Sequence, residues 1–266
     1  MNPKILYACA GMACCALSAP VLADDDDGDD EIPFDVAEIF FELNNTDGDL
    51  GIHALIDGEP WKRLRIEDAN ERKYLNVFVR SKLRKQGLTE FFFESAEPTF
   101  DELSPEEFFA RFPEGTYEVE GRTLEGDELE SETEVSHAMP APPAAYVNGE
   151  SMAVQCDDEE PGYDATETSA PVTISWDPVT STHPSLGFPQ GSDDIEIYNY
   201  EVVVETELEI DGEEFTTVFS ALIPPDVTSL TIPAEFLAQG DEFKYEVLAR
   251  ESSWNQTAVE SCFELE

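Results

Sequence analysis

The chain has 266 residues, 60 of them acidic against 14 basic, for a formal net charge of −46 at pH 7. A polyanion of this density repels phosphate backbones and anionic headgroups, which excludes nucleic acid and lipid surfaces as ordinary partners. The acidity suits a salty medium, where counter-ions screen self-repulsion, and names no ligand by itself.

The first residues read as an export signal. Lys4 supplies the positive start, Ile5 to Leu17 is short and apolar, and Val21-Leu22-Ala23 offers small residues for cleavage. The apolar run is too short for a membrane span, and no second stretch of about 20 apolar residues follows. A lipid anchor at Cys14 or Cys15 is the rival, weakened because no Leu stands three residues before either thiol. The expectation is export, to periplasm or medium. Removing residues 1–23 leaves 243 residues and two of the five cysteines, Cys156 and Cys262, which an exported chain is expected to bond to each other. Residues 24–33, with seven acids between Asp24 and Glu31, read as a disordered tail.

From residue 34 the pattern is strand-like. Ile39, Phe41 and Leu43 alternate with Glu38, Phe40 and Glu42. Asn44 to Asp49 forms a turn, and Ile52, Ala54 and Ile56 resume the alternation up to a second turn at Asp57-Gly58. Leu64 to Ile66, Leu75 to Val79 and Glu90 to Glu94 are further strands. Ser104-Pro105-Glu106-Glu107 is a helix start, with Ser as cap, Pro at the first helical position and Glu107 three residues past the cap. Pro113 ends the helix quickly, and Thr116 to Leu124 and Glu128 to His137 make a closing hairpin.

A Pro-rich stretch around residues 139–150 reads as a semi-rigid spacer that couples two domains, 34–138 and 151–266, only weakly. In the second, Val172, Ile174 and Trp176 alternate. Tyr198, Tyr200, Val202, Val204, Thr206, Leu208 and Ile210 form a long inward face against outward glutamates. Asp211-Gly212 is a hairpin turn. Pro233 to Arg250 (PAEFLAQGDEFKYEVLAR) repeats Pro105 to Arg122 (PEEFFARFPEGTYEVEGR) without a gap, at an offset of 128 and with nine identities in eighteen positions. Each copy predicts a short helical turn followed by a half-buried late strand, so the repeat implies two related folds.

The expected architecture is therefore all-β, two immunoglobulin-like sandwiches in tandem. Over roughly Pro171 to Glu266 the chain resembles a fibronectin type III module. The resemblance rests on Trp176 in VTISWDPV, Tyr200 in the long central strand, Leu230 and Ile232 in TSLTIP, and the alternation of Phe243, Tyr245, Val247 and Ala249. It implies that Trp176 and Tyr200 meet across the core, and that a tyrosine at the turn into the late strand ties its hydroxyl to upstream backbone. Phe243 holds that place in the second domain unless the register moves to Tyr245; Phe112 to Tyr117 matches it better in the first. The family implies a binding or spacer module rather than an activity.

Catalytic signals are thin. His53, His137 and His183 are scattered, with no metal spacing among them, and no nucleophile elbow or phosphate loop is present. The expectation is a non-enzyme with no cofactor. Asn45, Asp47 and Asp49 on a Gly-containing turn are candidate calcium ligands, because hard cations take clustered oxygens; an ordinary Asx turn explains them equally. Lys62 to Lys85 carries nine bases and three acids. Trp61, Lys62, Arg63 and Arg65 are its candidate binding residues, for a surface protein or an anionic glycan, against the alternative that the bases neutralise acidic neighbours. Two functional readings follow: a recognition or adhesion module, or a structural spacer. An enzyme of unrecognised class ranks third.

Overall fold

The computed structural model describes residues 31–156, 161–210 and 212–266. The expected signal segment, the tail up to Asp30 and the turn residue Asp211 lie outside them. Among the described residues no helix is long and apolar enough to cross a membrane. The fold is all-β, with two sandwich-like lobes.

In the first lobe the strands are β1 (Val36–Asn44), β2 (Asp49–Glu67), β3 (Lys73–Phe78), β4 (Leu88–Glu94), β5 (Gly115–Thr123) and β6 (Glu128–Val135), with short helices α1 (Leu83–Gln86) and α2 (Pro105–Arg111). The spine is β2. Its first half pairs with β1 and β4, its second half with β3 and β5. The turn expected at Asp57-Gly58 is absent. Asp57 Oδ1 accepts the Gly58 N–H at 2.9 Å, and the pairing with β4 is irregular between Asp57 and Trp61. The dipeptide opens an irregularity that bends the strand and leaves it continuous within one sheet instead of reversing the chain, because neighbours pair with it on both sides of the bend. Ile56, Trp61, Leu64 and Ile66 are all fully buried along it.

The helix start behaves as its residues require. Ser104 Oγ accepts the Glu107 N–H at 3.3 Å and Pro105 opens α2. The helix sets Phe108 and Phe109 edge-on against Phe41, with ring centroids 5.7 and 5.3 Å away. The Tyr117 hydroxyl donates to the Pro113 carbonyl at 3.1 Å, the corner that the resemblance implied for this lobe.

The second lobe contains β7 (Ala145–Val147), β8 (Glu150–Ser151), β9 (Thr166–Thr168), β10 (Thr173–Trp176), β11 (Ile197–Ile210), β12 (Glu213–Ile223), β13 (Ser229–Thr231), α3 (Ala234–Leu237), β14 (Glu242–Glu251) and β15 (Gln256–Leu265). A small sheet, β13-β10-β7-β8, faces a larger one carrying β12-β11-β14-β15 with β9 on its edge. Trp176 and Tyr200 meet between them at 5.2 Å, tilted rather than stacked, and the Tyr200 hydroxyl accepts the Val179 N–H. The inward face of β11 begins at Tyr200, not Tyr198. Tyr198 is exposed and packs edge-on against Trp254 outside the sandwich.

The repeat extends past its sequence identity. Each copy places a short helix before the strand, and β5 lies between β2 and β6 as β14 lies between β11 and β15. The hairpin registers coincide at the same offset: Arg122 opposite Glu128 and Arg250 opposite Gln256, Gly115 opposite Val135 and Phe243 opposite Phe263. Tyr117 and Tyr245 are both buried, as are Phe108 and Phe236. The front halves differ: β11, in the place of the 19-residue β2, has 14 residues and pairs with β12 and β14, whereas β2 pairs with β1, β3, β4 and β5.

Two expectations about the chain's connections are corrected. The Pro-rich stretch is not a free spacer. Met139 is fully buried in the first core, the Pro140 carbonyl accepts the Thr257 hydroxyl at 2.8 Å, and residues 145–147 form β7. Its Met, Ala and Val side chains bury more favourably than they hydrate, and its carbonyls find donors. The tail's last residues are also tied down, with Ile32 bridged to Leu129 on β6. The lobes share a sheet. β15 pairs in parallel with β1, Glu42 opposite Gln256 and Asn44 opposite Ala258, and residues Glu31–Glu266 form one compact unit.

Candidate functional site

The joined sheet has an outer face that crosses both lobes. Because Ile39, Phe41 and Leu43 point into the first core, Phe40, Glu42 and Asn44 point out. The same alternation sends out His53 from β2, Glu201 and Glu205 from β11, Glu246 and Arg250 from β14, and Gln256 and Glu260 from β15. At the seam these groups touch. Asn44 Nδ2 donates to Glu260 Oε1 at 2.6 Å, Gln256 Nε2 donates to the Glu42 carboxylate, and the Arg250 guanidinium lies over the Phe40 ring at 5.2 Å.

The electrostatics are those of acids without enough bases. Burial, then the charges of Glu42, Glu260, Glu201 and Glu205, push Glu246 up to about 8. Asp49 is pushed up to about 6 by burial, then by Glu97, Asp47, Glu260 and Glu42. Glu42 and Glu260 are raised, in both cases mainly by burial. Such a surface attracts cations and holds protons near neutral pH. Beside it lies a cleft of about 980 Å³ whose lining includes Thr46, Asp47, Glu205, Lys244 and Glu260.

The residues singled out from sequence fall in several places. Cys156 and Cys262 are bonded, with Cα atoms 5.7 Å apart, tying the segment after β8 to β15. The turn after β1 is an Asx turn made by Asn44, whose Oδ1 accepts the N–H groups of Thr46 and Asp47. Asn45 is drawn elsewhere, its Oδ1 lying 3.1 Å from His183 Nε2, so the expected trio of Asn45, Asp47 and Asp49 does not converge. Asp47 and Asp49 remain neighbours within the acidic seam.

Trp61 is not an aromatic platform. It is fully buried and meets Phe91 edge-on at 6.3 Å, because the bend of β2 turns its large ring into the core. The bases beside it are occupied. Lys62 Nζ donates to the Leu124 carbonyl, Arg63 lies over Phe78, and Arg65 pairs with Glu67 and Glu120. Charge neutralisation across the sheet accounts for Arg65, while Lys62 and Arg63 are held by a carbonyl and a ring. The exposed bases are farther on, Arg72 and Lys73 before and in β3 and Arg80, Lys82, Arg84 and Lys85 around α1, with Leu83 exposed among the latter.

One cluster escaped sequence reasoning. His53 lies with Nδ1 3.9 Å from Glu42 and Nε2 3.0 Å from Glu97. The alternation of Ile52 and Ala54 placed His53 on the outer face. Nothing local signalled Glu97, which reaches it from the segment after β4.

The arrangement defines an all-β protein of two sandwich-like lobes with an acidic face across their shared sheet. No family model matches the chain, and no curated protein matches it. Among solved structures it is similar to a 1.5-MDa bacterial ice-binding adhesin, at 12% identity over 88% of this chain and 65% of that one, with a TM-score of 0.21. It is also similar to the BSP domain of a biofilm-associated protein, at 10% identity over 86% of this chain and 29% of that one, TM-score 0.24. A DUF3823 family protein from Parabacteroides merdae matches at 10% identity over 89% of this chain and 100% of that one, TM-score 0.21. The chain spans less than two thirds of the length of the adhesin and biofilm structures.

Proposed function

We propose that this chain is an exported, non-catalytic recognition or adhesion module whose second lobe is a fibronectin type III-like sandwich. The observation that carries the reading is the composition of the outer face. Val218 stands opposite Glu205 and Leu222 opposite Glu201 in the β11–β12 ladder, and these two apolar side chains are 55% and 64% exposed. Phe92, 54% exposed, lies on the same face of β4 at the other lobe. Exposed apolar groups interleaved with carboxylates suit a protein partner carrying apolar and basic side chains. Export is supported by the N-terminal pattern and the disulfide.

The test is binding of the labelled full chain to intact cell surfaces, compared with Val218→Asp/Leu222→Asp and with Arg84→Glu/Lys85→Glu. Loss with the first double variant and retention with the second is expected. The reverse outcome moves recognition to the basic tip and an anionic glycan.

A spacer role is the second reading, favoured by the β15–β1 pairing that makes the two lobes one body. It predicts equal behaviour of all three proteins in the surface assay.

A further inference from the structure

We propose that Glu42, His53 and Glu97 form a site for a divalent transition metal of the zinc class, closing over the joint between the lobes. One ligand atom from each of the three lies within 4.8 Å of the others. They come from three separate segments, β1, β2 and the irregular stretch after β4. The antiparallel register sets the first two, since Phe40 pairs with His53 and Glu42 with Gly51. His53 is 5% exposed, with each ring nitrogen facing a carboxylate.

Gly51 is part of the device. A β-carbon there would push the Glu97 side chain aside, so glycine opposite Glu42 leaves the room in which the second carboxylate lies over the sheet. Among the described residues neither Glu42 nor Glu97 forms an ion pair with Lys or Arg; His53 is the basic group they share. The donor set selects the ion. Calcium and magnesium take oxygen ligands, whereas one imidazole with two carboxylates suits zinc or cobalt, with a position left for water. An imidazole binds a metal through one nitrogen, and with Nε2 as the ligand Glu97 already lies at 3.0 Å. Tetrahedral zinc, whose donors stand about 3.3 Å apart, needs the Glu42 carboxylate to swing in from the Nδ1 side. The hydrogen bond from Gln256, on β15 of the other lobe, holds the Glu42 oxygen that faces His53 and so orients the carboxylate, as partners of metal ligands do.

The test uses the full chain, freed of metal by chelation, with cobalt(II) and zinc as probes. One cobalt per chain with a visible ligand-field band is expected, displaced by one equivalent of zinc and not by millimolar calcium. His53→Gln and Glu97→Gln should each weaken cobalt binding at least about 100-fold, and Gln256→Ala about 10-fold. Glu97→Gln lies outside the strands and keeps the question open to test if His53→Gln fails to fold. Asp47→Ala should leave binding unchanged. No stoichiometric band, a band surviving Glu97→Gln, or a band abolished by Asp47→Ala overturns the proposal.

Discussion

The side chain of Asn255, in the turn between β14 and β15, accepts the backbone N–H of Phe41 at 2.9 Å, 214 residues away in sequence. Its amide nitrogen donates to the carbonyls of Ser136 at 2.9 Å and Ala138 at 3.1 Å. One buried amide of the second lobe thus serves the first strand of the first lobe and the connector between them. Asn255→Ala leaves a buried donor and two acceptors without this partner, each costing about 1–3 kcal/mol. The expected loss is about 3–5 kcal/mol, read by urea unfolding. A loss below about 1 kcal/mol would mean that water replaces the amide.

The Cys156–Cys262 bond closes a loop of 106 residues in sequence separation. In the chain-entropy model such a loop is worth about 4–5 kcal/mol. Unfolded, unreduced chain should show no reactive thiol from this pair, and reduction should lower the urea midpoint and steepen the slope, because the uncrosslinked chain exposes more surface when unfolded. Detection of two thiols from Cys156 and Cys262 would refute the bond.

Glu246 determines a pH dependence whose sign is opposite to the usual acid denaturation. Its pKa is raised from 4.5 to about 8, so between those values the folded state holds a proton that the unfolded chain has released. The stability contributed by this proton is complete below the unfolded value and is lost as pH rises through about 8. Glu246→Gln imitates the protonated acid. It should match the parent at pH 5 and exceed it by about 1–3 kcal/mol at pH 9, discounted for partial solvent access. Melting curves at the two pH values check this; an equal offset at both would assign the effect to packing.

The phenylalanines of the repeat test how the lobes are coupled. Phe108→Ala and Phe236→Ala each empty a buried aromatic site and should cost about 3–5 kcal/mol. Weak coupling through a Pro-rich spacer would let each variant melt its own lobe alone. With β15 paired to β1 and Asn255 seated in the first lobe, a single transition is expected in both variants. Calorimetry showing two separated peaks in either one would restore independent lobes.

Alternation, the helix cap and the turn at Asn44 to Asp49 were legible in the sequence because they are written in neighbouring residues. The turn expected at Asp57-Gly58, by contrast, was overridden by pairing on both sides of β2. The alternation of Ile39, Phe41 and Leu43, the Ser104-Pro105 cap and the 128-residue offset that aligns the two hairpins follow from local chemistry, and so the all-β class did too. The Cys156–Cys262 bond could be expected from simple counting. Alternation says which side of a strand a residue faces, not which distant strand lies beside it. The parallel pairing of β15 with β1 is made by backbone groups that every residue carries, so no side chain announced it. Only that pairing turned two acidic strand faces into one seam, made Asn255 a staple and Met139 core. The bend of β2 similarly buried Trp61, and the approach over Gly51 brought Glu97 to His53. These were decided by tertiary contacts, where burial and long-range register override what a local pattern can specify.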